Sequence, residues 1–562
     1  MTVNKRTLKK IIKITLSIIP ILIFVVMWLT NTIYYHMGDD EVMNTIAIGN
    51  YNGYPDEHLI YINSVIGYIN KFLFNITSSI NWFAIIYILS ILILTYSLLF
   101  LFKKYTNYVV AFLLAVSVEI ICIFWFTFTV ISYFCAIAAC LTLIDLFLST
   151  ERSKLFTTIE CVSIAFLGLI SYGLRSEAFL STLFLACPII LLLKRNFYKR
   201  IPAIASVIIV LVGITAMVLV NNHSYSSPGW VKYKTFNSAR SSVYDYPIMS
   251  YEDNVDYYTK IDFTKTDTEC IKDTFTADNK VYSTSKLYNI AKKTPTSTRY
   301  SINLRDFYKD LRENSTSTSV ALITILTILL FILLSVVLII LTEKKKIIVL
   351  QSITTIIVIG AAFVIRRPLP RVVNSLALIG MLSLTYLFLR QKEKLKFSMK
   401  RYITMFISLL FLTQLFIYGG KTITNANYFS NYRSQQRIIF EYAKKNKDAL
   451  LIAHRPWEWL YYKPVSQINN NTIYNLMGTG EQYTFSPLYY EQLSLIKKHN
   501  GDKLLQNFLN DKKTYLVSKR GDGVILKYIK NYYKDHYSKR VKCEVVKEYK
   551  RAGIVIYRFV QE

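Results

Sequence analysis

The sequence predicts a mainly α-helical, polytopic membrane protein with about eleven transmembrane helices and a small C-terminal α/β domain. Hydrophobic residues make up 53% of the 562 residues and charged residues only 18%, whereas soluble chains carry roughly 25% charge. The apolar residues also come in blocks of about 20, the length that a helix needs to cross a bilayer. With 18 Gly and 12 Pro against 43 Tyr and 33 Phe, the chain is neither disordered nor collagen-like.

The first apolar block, residues 14–30, follows a basic N-terminus, so a signal peptide is the alternative to a span. The block is too long for a signal peptide, and residues 31–35 offer no small-residue cleavage site, so we interpret it as an uncleaved span. Ten further blocks complete the set: 82–102, 108–126, 128–149, 156–172, 178–193, 201–220, 318–342, 347–365, 373–389 and 402–419.

Basic side chains in the short loops predict the orientation, because cytoplasmic loops carry most of the Lys and Arg. With a cytoplasmic N-terminus, every short inner loop is basic: 103–104, 152–154, 194–200, 344–346 and 390–401. The segment 58–75 is apolar enough to be a span, but crossing there would turn all later basic loops outward. It also carries Asn63, Asn70 and Lys71, so we expect an amphipathic helix at the outer interface.

Three large regions then face outward: residues 31–81, 221–317 and 420–562. We expect residues 1–419 to form the transmembrane module and 420–562 an extracytoplasmic α/β domain. In that domain the strand-like runs are 449–453, 514–517, 524–526 and 553–557, and the helical ones are 433–446 and 489–499.

The net charge of +30 indicates contact with anionic membrane lipids, because the basic residues lie beside spans. For the same reason, nucleic acid is a poor candidate as a partner. The seven cysteines include no pair with metal-ligand spacing. We therefore predict no metal site from Cys and His.

Three consecutive carboxylates, Asp39, Asp40 and Glu41, follow the first span directly. Packed acids raise one another's pKa, so one of them can act as a base near neutral pH. The same acids could ligate a hard divalent cation, which is the one cofactor that the sequence suggests. Acids in the first turn of a solvated helix are the structural alternative.

Four arginines break the positive-inside trend, because they lie in short outer loops: Arg175, Arg366, Arg367 and Arg371. A guanidinium is a planar, permanently charged fork suited to phosphate oxygens. Lipid headgroups, or a salt bridge to Glu177, are the alternative partners. We predict that these arginines, Glu177 and His58, which flanks the acids, bind substrate, and that Asp39, Asp40 and Glu41 are catalytic.

The run Gly38-Asp-Asp-Glu41, followed by Asn52-Gly, His58-Leu-Ile-Tyr-Ile-Asn63 and Trp82, resembles the GT-C superfamily of membrane glycosyltransferases. The order of spans, outer loops and C-terminal domain fits bacterial members related to the dolichyl-phosphate-mannose-type and glycosyltransferase 39-type enzymes. The resemblance implies transfer of a sugar from a polyprenyl-phosphate carrier to an envelope glycan, lipid or polymer outside the bacterial cell membrane. It also implies that an acid of the first loop, matched by Asp39 and Asp40, is the base.

Two other functions fit parts of the sequence. A polysaccharide repeat-unit polymerase would also use outer arginines, but it usually has no acidic cluster directly after the first span. A lipid or polysaccharide transporter should have internal repeats or broken helices with charges near the membrane midplane. Glu119 alone suits that description.

Overall fold

The structure, a computed structural model, describes residues 5–149, 153–193, 200–315, 317–342, 345–390, 397–430, 432–456, 463–468, 473–480, 482–497 and 500–562. Within these residues, nine helices are long and apolar enough to cross a membrane. The prediction of a mainly α-helical, polytopic membrane protein with a small C-terminal sheet is confirmed. The predicted basic segments at 152, 194–199, 344 and 391–396 lie outside the described residues.

Three helices open the chain: α1 (Lys5–Leu29), α2 (Gly38–Ile48) and α3 (Ser64–Ile76). α1 lies on the outside of the bundle, since only 11% of its apolar stretch is buried. α3 falls in the ambiguous segment 58–75 and has 13 residues, about 20 Å, which is too short to cross a hydrocarbon core of ~30 Å. The predicted helix is confirmed, and its place at the membrane interface stays a prediction.

Six apolar helices follow: α4 (Trp82–Phe102), α5 (Tyr108–Phe124), α6 (Phe128–Leu148), α7 (Lys154–Leu174), α8 (Ser176–Ile190) and α9 (Ile201–Ser224). Three of these helices are capped at their N-termini by the side chains of Asn81, Asn107 and Ser153. Each side chain accepts a hydrogen bond from a first-turn N–H that would otherwise be unpaired. α6 packs against α4, α7 and α8 and is 89% buried. It therefore lies at the centre of the bundle.

The long loop between spans folds into six helices: α10 (Pro228–Tyr244), α11 (Val255–Lys260), α12 (Lys265–Lys272), α13 (Thr284–Lys293), α14 (Thr296–Arg299) and α15 (Leu304–Glu313). Although the loop is polar, it has an apolar interior in which Tyr258, Phe263 and Tyr282 are buried. His58 of the loop between α1 and α4 stacks on Trp230 of α10, with ring centroids 4.2 Å apart. The two loops are thus in direct contact.

Four apolar helices complete the bundle: α16 (Thr318–Leu341), α17 (Lys345–Val364), α18 (Pro370–Arg390) and α19 (Phe397–Ser430). α18 packs against α6, α16 and α17 and is 94% buried, so it shares the centre with α6. Each of the eleven predicted spans coincides with an apolar helix, although α5 and α8 have only 17 and 15 residues. α19 continues to Ser430, past the predicted domain boundary at 419/420.

The C-terminal region holds a sheet and four helices: α20 (Arg433–Lys445), β1 (Leu450–Ala453), β2 (Leu476–Gly478), α21 (Pro487–Leu495), α22 (Asn507–Asn510), β3 (Thr514–Lys519), α23 (Gly523–Tyr537), β4 (Val541–Tyr549) and β5 (Ile554–Gln561). The strand order is β2-β1-β3-β5-β4. β1 is parallel to β2 and β3, whereas β5 is antiparallel to β3 and β4. Leu451 and Val517 pack against Ile439 of α20.

The predicted strand at 524–526 is wrong, because this segment begins α23. The Asp522 side chain accepts a hydrogen bond from the N–H of Ile525, and buried Ile525, Ile529 and Tyr532 recur at helical spacing. A short apolar run cannot be assigned to strand or helix by periodicity alone. The sequence also does not predict β2, which has three residues, or β4, which is largely exposed and so lacks an apolar run.

The C-terminal domain contacts the first loop and the long loop. Asn81 Nδ2 donates a hydrogen bond to the carbonyl of Val465 at 2.9 Å. The N–H groups of Thr276 and Ala277 both donate to the carbonyl of Thr479, at 3.1 and 3.0 Å. The first loop, the long loop and the C-terminal domain therefore meet at one end of the bundle, where α2 begins.

Candidate active site

The three predicted acids occupy the first turn of α2, where negative charge is favoured by the helix dipole. Consecutive helical residues point in different directions, and the three side chains accordingly have different surroundings. Asp40 and Glu41 are buried, at 0% and 3% exposure, whereas Asp39 is half-buried. The solvated helix start that was the structural alternative is therefore wrong for two of the three acids.

Asp40 points into the helical bundle. Its Oδ1 accepts a hydrogen bond from the Tyr87 hydroxyl of α4 at 2.9 Å and another from the N–H of Phe128, the first residue of α6, at 3.0 Å. Burial raises the pKa of Asp40 to about 7, against the opposing effect of these hydrogen bonds. Asp40 thus fixes the start of α2 to two helices of the bundle.

We expect Asp40→Asn to unfold at a higher temperature than the wild type. This difference in unfolding temperature should be larger at about pH 8 than at about pH 4.5. The unfolded carboxyl ionises near ~4, whereas the folded one ionises near 7, so wild-type stability falls as pH rises through this window. Asn has no charge to bury, and its amide oxygen can accept both hydrogen bonds. Thermal unfolding in detergent measures this difference. Equal differences at the two pH values would contradict it, and Asp262→Asn, at an exposed acid, is the control.

Glu41 points toward the C-terminal domain. Its Oε1 lies 2.9 Å from Lys463 Nζ, and the two side chains are only 4% and 8% exposed. Burial raises the pKa of Glu41, and the Lys463 charge opposes this effect. Removing either partner would leave the buried charge of the other without a counter-ion. The ion pair therefore stabilises the contact between the C-terminal domain and the first loop.

Asp39 is the acid that faces other functional groups. Gln482 of the C-terminal domain donates a hydrogen bond from Nε2 to Asp39 Oδ1 at 2.8 Å. Burial raises the pKa of Tyr61 and of Tyr233, and the nearby Asp39 charge raises both further. The same charge acts on the guanidinium of Arg371. Asp39 therefore combines partial exposure with neighbours from four parts of the chain.

Arg371 lies in the first turn of α18, at the end of the bundle where α2 begins. The charges of Asp39, Asp40, Arg175 and Arg367 all act on its guanidinium. Its Nη1 lies 3.3 Å from Met37 Sδ, and its buried Nε has no hydrogen-bond partner within the described residues. The pKa of His36 is lowered to about 3 by burial and by the Arg371 charge, so this histidine is neutral and adds no second positive charge near Arg371.

Arg175 joins α7 to α8, and its Nε lies 3.0 Å from Glu177 Oε2. The pair is partly solvated, since the side chain of Glu177 is 69% exposed. The Arg175 guanidinium also lies over the ring of Phe128, 5.7 Å from its centroid, next to the backbone that holds Asp40. The structure thus brings Arg175 near Arg371, with Glu177 on the solvent side.

Arg366 and Arg367 differ in their partners. Arg366 makes two hydrogen bonds to Asp310 of α15, from Nε at 2.9 Å and from Nη2 at 3.0 Å, so its guanidinium fork already holds a carboxylate. Arg367 Nη2 lies 2.9 Å from Asp245 Oδ1. Since the charge of Arg367 acts on Arg371, Arg367 borders the same site, whereas Arg366 connects the long loop to the bundle.

His58 links the first loop to the long loop, and the contacts described for it do not include the acids of α2. Its Nδ1 lies 2.8 Å from Asp56 Oδ1, and its Nε2 lies 3.0 Å from the carbonyl of Ser224. Although burial lowers it, the pKa of His58 is raised overall by these hydrogen bonds. Asp56, Glu57 and His58 form the one group of metal-type ligands close together in the described residues, but Glu57 is paired with Lys71 at 2.7 Å.

Sequence reasoning misses several residues at this site. Arg240 of α10 is 7% exposed, and its charge acts on Tyr61, Tyr233 and Asp245. Its guanidinium donates to Asn237 Oδ1, and within the described residues no carboxylate lies at ion-pair distance from it or from Arg371. The sequence gives no signal for Arg240 or Gln482, because each reaches the site only through the folding of a distant loop.

Buried positive charge is the main electrostatic feature of this site. Arg240 and Arg371 carry charges that no described carboxylate pairs with, and a buried unpaired charge is costly. An anionic ligand would remove that cost. The half-buried Asp39 carboxylate, whose charge acts on the half-buried Tyr61, can accept a proton. The arrangement suits a reaction in which a negatively charged group leaves and a hydroxyl loses its proton.

No family model matches the sequence, and none of the curated proteins matches it. Among solved structures, the chain is similar to ArnT from Cupriavidus metallidurans in the apo state, with 10% identity and a TM-score of 0.41. It is similar to the same protein bound to undecaprenyl phosphate, with 10% identity and a TM-score of 0.43. Each likeness covers 96% of this chain and 97% of the other.

Proposed function

We propose that this chain is an integral membrane glycosyltransferase that moves a sugar from a polyprenyl-phosphate carrier to an envelope glycan, lipid or polymer. The observation that carries the proposal is that Arg371 Nη1 lies 3.3 Å from Met37 Sδ, two residues before Asp39, whose charge acts on the Arg371 guanidinium. Asp39 and Arg371 both begin helices at the same end of an apolar bundle. The resemblance of the Gly38–Glu41 segment to GT-C enzymes implies the same reaction.

The proposed chemistry uses one base and one anion site. The hydrocarbon tail of the donor lies in the bilayer, and its phosphosugar reaches the end of the bundle. Asp39 takes the proton from the acceptor hydroxyl as the oxygen attacks the anomeric carbon. The bond between that carbon and the phosphate oxygen breaks, and the phosphate leaves with the electron pair. Arg371 and Arg240 stabilise the negative charge that develops on it.

The other residues of the site position these two groups. Gln482 holds Asp39 by the hydrogen bond to Oδ1, and Asp40 anchors the turn on which Asp39 sits. Arg175 and Arg367 add positive charge at the edge of the site, and each forms an ion pair with one acid. Arg366, His58 and Glu41 have their partners in structural contacts, so we assign them to the framework of the site.

The topology completes the proposal. We place the N-terminus in the cytoplasm and the C-terminal domain outside the bacterial cell membrane, on the support of the basic short loops. The module 1–419 would then bind the lipid-linked donor. The domain 420–562 reaches the site through Gln482 and Lys463, so we assign it to the acceptor side.

Lipid analysis of a strain that lacks the protein tests this function. We expect one polyprenyl-phosphate-linked sugar to accumulate, and the purified protein in nanodiscs to consume that lipid when envelope material is added. Mass spectrometry of the lipid extract identifies both changes. Accumulation of a lipid-diphosphate oligosaccharide would indicate the polymerase instead, and an unchanged lipid profile with no consumption in vitro would contradict the transferase. The matched control is the deletion strain complemented with the wild-type chain.

A further inference from the structure

A cavity lies at the opposite end of the bundle from Asp39. It has a volume of about 440 Å³ and is lined by α4, α6 and α7, within the range of small-molecule sites of roughly 300–1,000 Å³. α4 runs from Trp82, near the candidate active site, to Phe102, beside this cavity. Its 21 residues separate the two places by about 30 Å, so the cavity plays no part in the transfer reaction proposed above.

The walls of this cavity are amphipathic. Phe100, Leu101, Phe156 and Ile159 provide its apolar surface, and Lys103, Lys104, Glu160, Ser149 and Ser153 provide polar groups. The charge of Glu160 is balanced by its ion pair with Lys104. The two lysines directly follow α4, and Ser153 is the N-cap of α7. Apolar walls with basic groups at a helix end suit a ligand with one hydrocarbon part and one anionic part.

The two lysines have different partners. Lys104 pairs with Asp145 at 2.9 Å and with Glu160. Lys103 Nζ instead lies over the ring of Phe100, 3.7 Å from its centroid, and within the described residues no carboxylate lies at ion-pair distance from it. Lys103 thus brings a positive charge to the cavity wall that a ligand could neutralise.

The start of α7 adds to this attraction. Ser153 accepts a hydrogen bond from the N–H of Phe156, so the first turn of this 21-residue helix borders the cavity. Unpaired N–H groups and the positive end of the helix dipole favour an anion there. The lysine and the helix start act on the same part of the cavity.

We propose that this cavity binds an anionic glycerophospholipid, its phosphate between Lys103 and the start of α7 and an acyl chain along Phe156 and Leu101. With the orientation assigned above, the lipid comes from the cytoplasmic leaflet. A phospholipid fits better than the sugar donor, because the donor must react about 30 Å away, at the other end of a 21-residue helix. The preference for a phospholipid over the sugar donor rests on the proposed transferase function, whereas the charge and shape of the cavity do not.

Native mass spectrometry of the purified full-length protein tests the site, with phosphatidylglycerol and phosphatidylcholine as the added probes. We expect the wild type to retain phosphatidylglycerol in preference, and Lys103→Gln to retain it roughly fivefold less, the effect of about one basic residue at an anionic surface. Lys103→Arg should keep the binding because it keeps the charge. Lys345→Ala, at an exposed lysine that begins α17, is the matched control.

Two outcomes would overturn the proposal. One is equal retention of phosphatidylglycerol by the wild type and Lys103→Gln, with both variants shown to be folded by thermal unfolding. The other is displacement of the bound lipid by stoichiometric polyprenyl phosphate, which would make the cavity a site for the carrier. Ser163→Phe, which places a larger side chain in the cavity, should reduce the retention of both phospholipids. Comparison with Lys103→Gln then distinguishes the effect of lost cavity volume from the effect of lost charge.

Discussion

Replacing Asp39 with Asn should abolish sugar transfer while the protein stays folded in the membrane. Asn cannot take up a proton, and loss of a general base lowers turnover by roughly 10²–10⁴-fold. Its amide oxygen can still accept the hydrogen bond from Gln482 that Asp39 Oδ1 accepts, so the local structure should persist. The measurement is the rate of product formation by purified protein in nanodiscs, with the lipid-linked donor identified from the deletion strain.

The neighbouring acid provides the comparison that makes this result informative. Asp40→Asn should keep a larger share of activity, because Asp40 is fully buried in contacts with Tyr87 and Phe128. Asp262→Asn, at an exposed acid of the long loop, should be fully active. Full activity of Asp39→Asn together with loss of activity in Asp40→Asn would make Asp40 the base.

The difference between these acids is the part of the site that the sequence could not predict. The run of three carboxylates indicates a helix start and a reactive group, because residue type and spacing suffice for both. Which side chain faces the reacting space depends on the rotation of α2 against α4 and α6. That rotation is set by contacts such as Asp40 with Phe128, a pair 88 positions apart. No local pattern encodes it.

The same limit applies to the arginines. Their place in short outer loops predicts that they lie at one end of the bundle, and the structure agrees for Arg175, Arg367 and Arg371. Arg366 was expected to share the phosphate, yet its fork is filled by Asp310, 56 positions away. Conversely, Arg240 reaches the site from the long loop. Tertiary pairing, which a single sequence does not reveal, decides which cation is left without an acid.

The helices of the bundle were predictable for a simple physical reason. In a bilayer every backbone N–H and C=O must be paired within the segment, so an apolar block of sufficient length has no alternative to a helix. Outside the bilayer this constraint is absent. In the C-terminal domain the run 524–526 accordingly becomes part of α23, and the exposed strand β4 escapes a search for apolar runs. Secondary structure was therefore predicted best for the apolar bundle, where the membrane environment permits only a helix.

Replacing Arg371 with Ala should lower turnover by about 10²–10³-fold, the usual effect of removing one group that stabilises developing negative charge. The guanidinium carries a charge unpaired by any described carboxylate, and its Nε is buried without a partner, so a leaving phosphate is the group that it can stabilise. Arg371→Lys should lose less, roughly tenfold, because Lys keeps the charge but not the bidentate fork. Single-turnover kinetics with the purified donor measures both.

The split between donor affinity and turnover decides what Arg371 does. If it stabilises the leaving phosphate, turnover should fall more than donor affinity, since the interaction strengthens as the bond breaks. An arginine that merely held a lipid headgroup would change affinity alone, or nothing. Arg305→Ala, at an exposed arginine of α15, controls for the loss of one positive charge. Unchanged affinity and turnover in Arg371→Ala would remove the anion site from the mechanism, because Arg371, which contacts Met37 just before Asp39, is the cation proposed to tie the base to the leaving group.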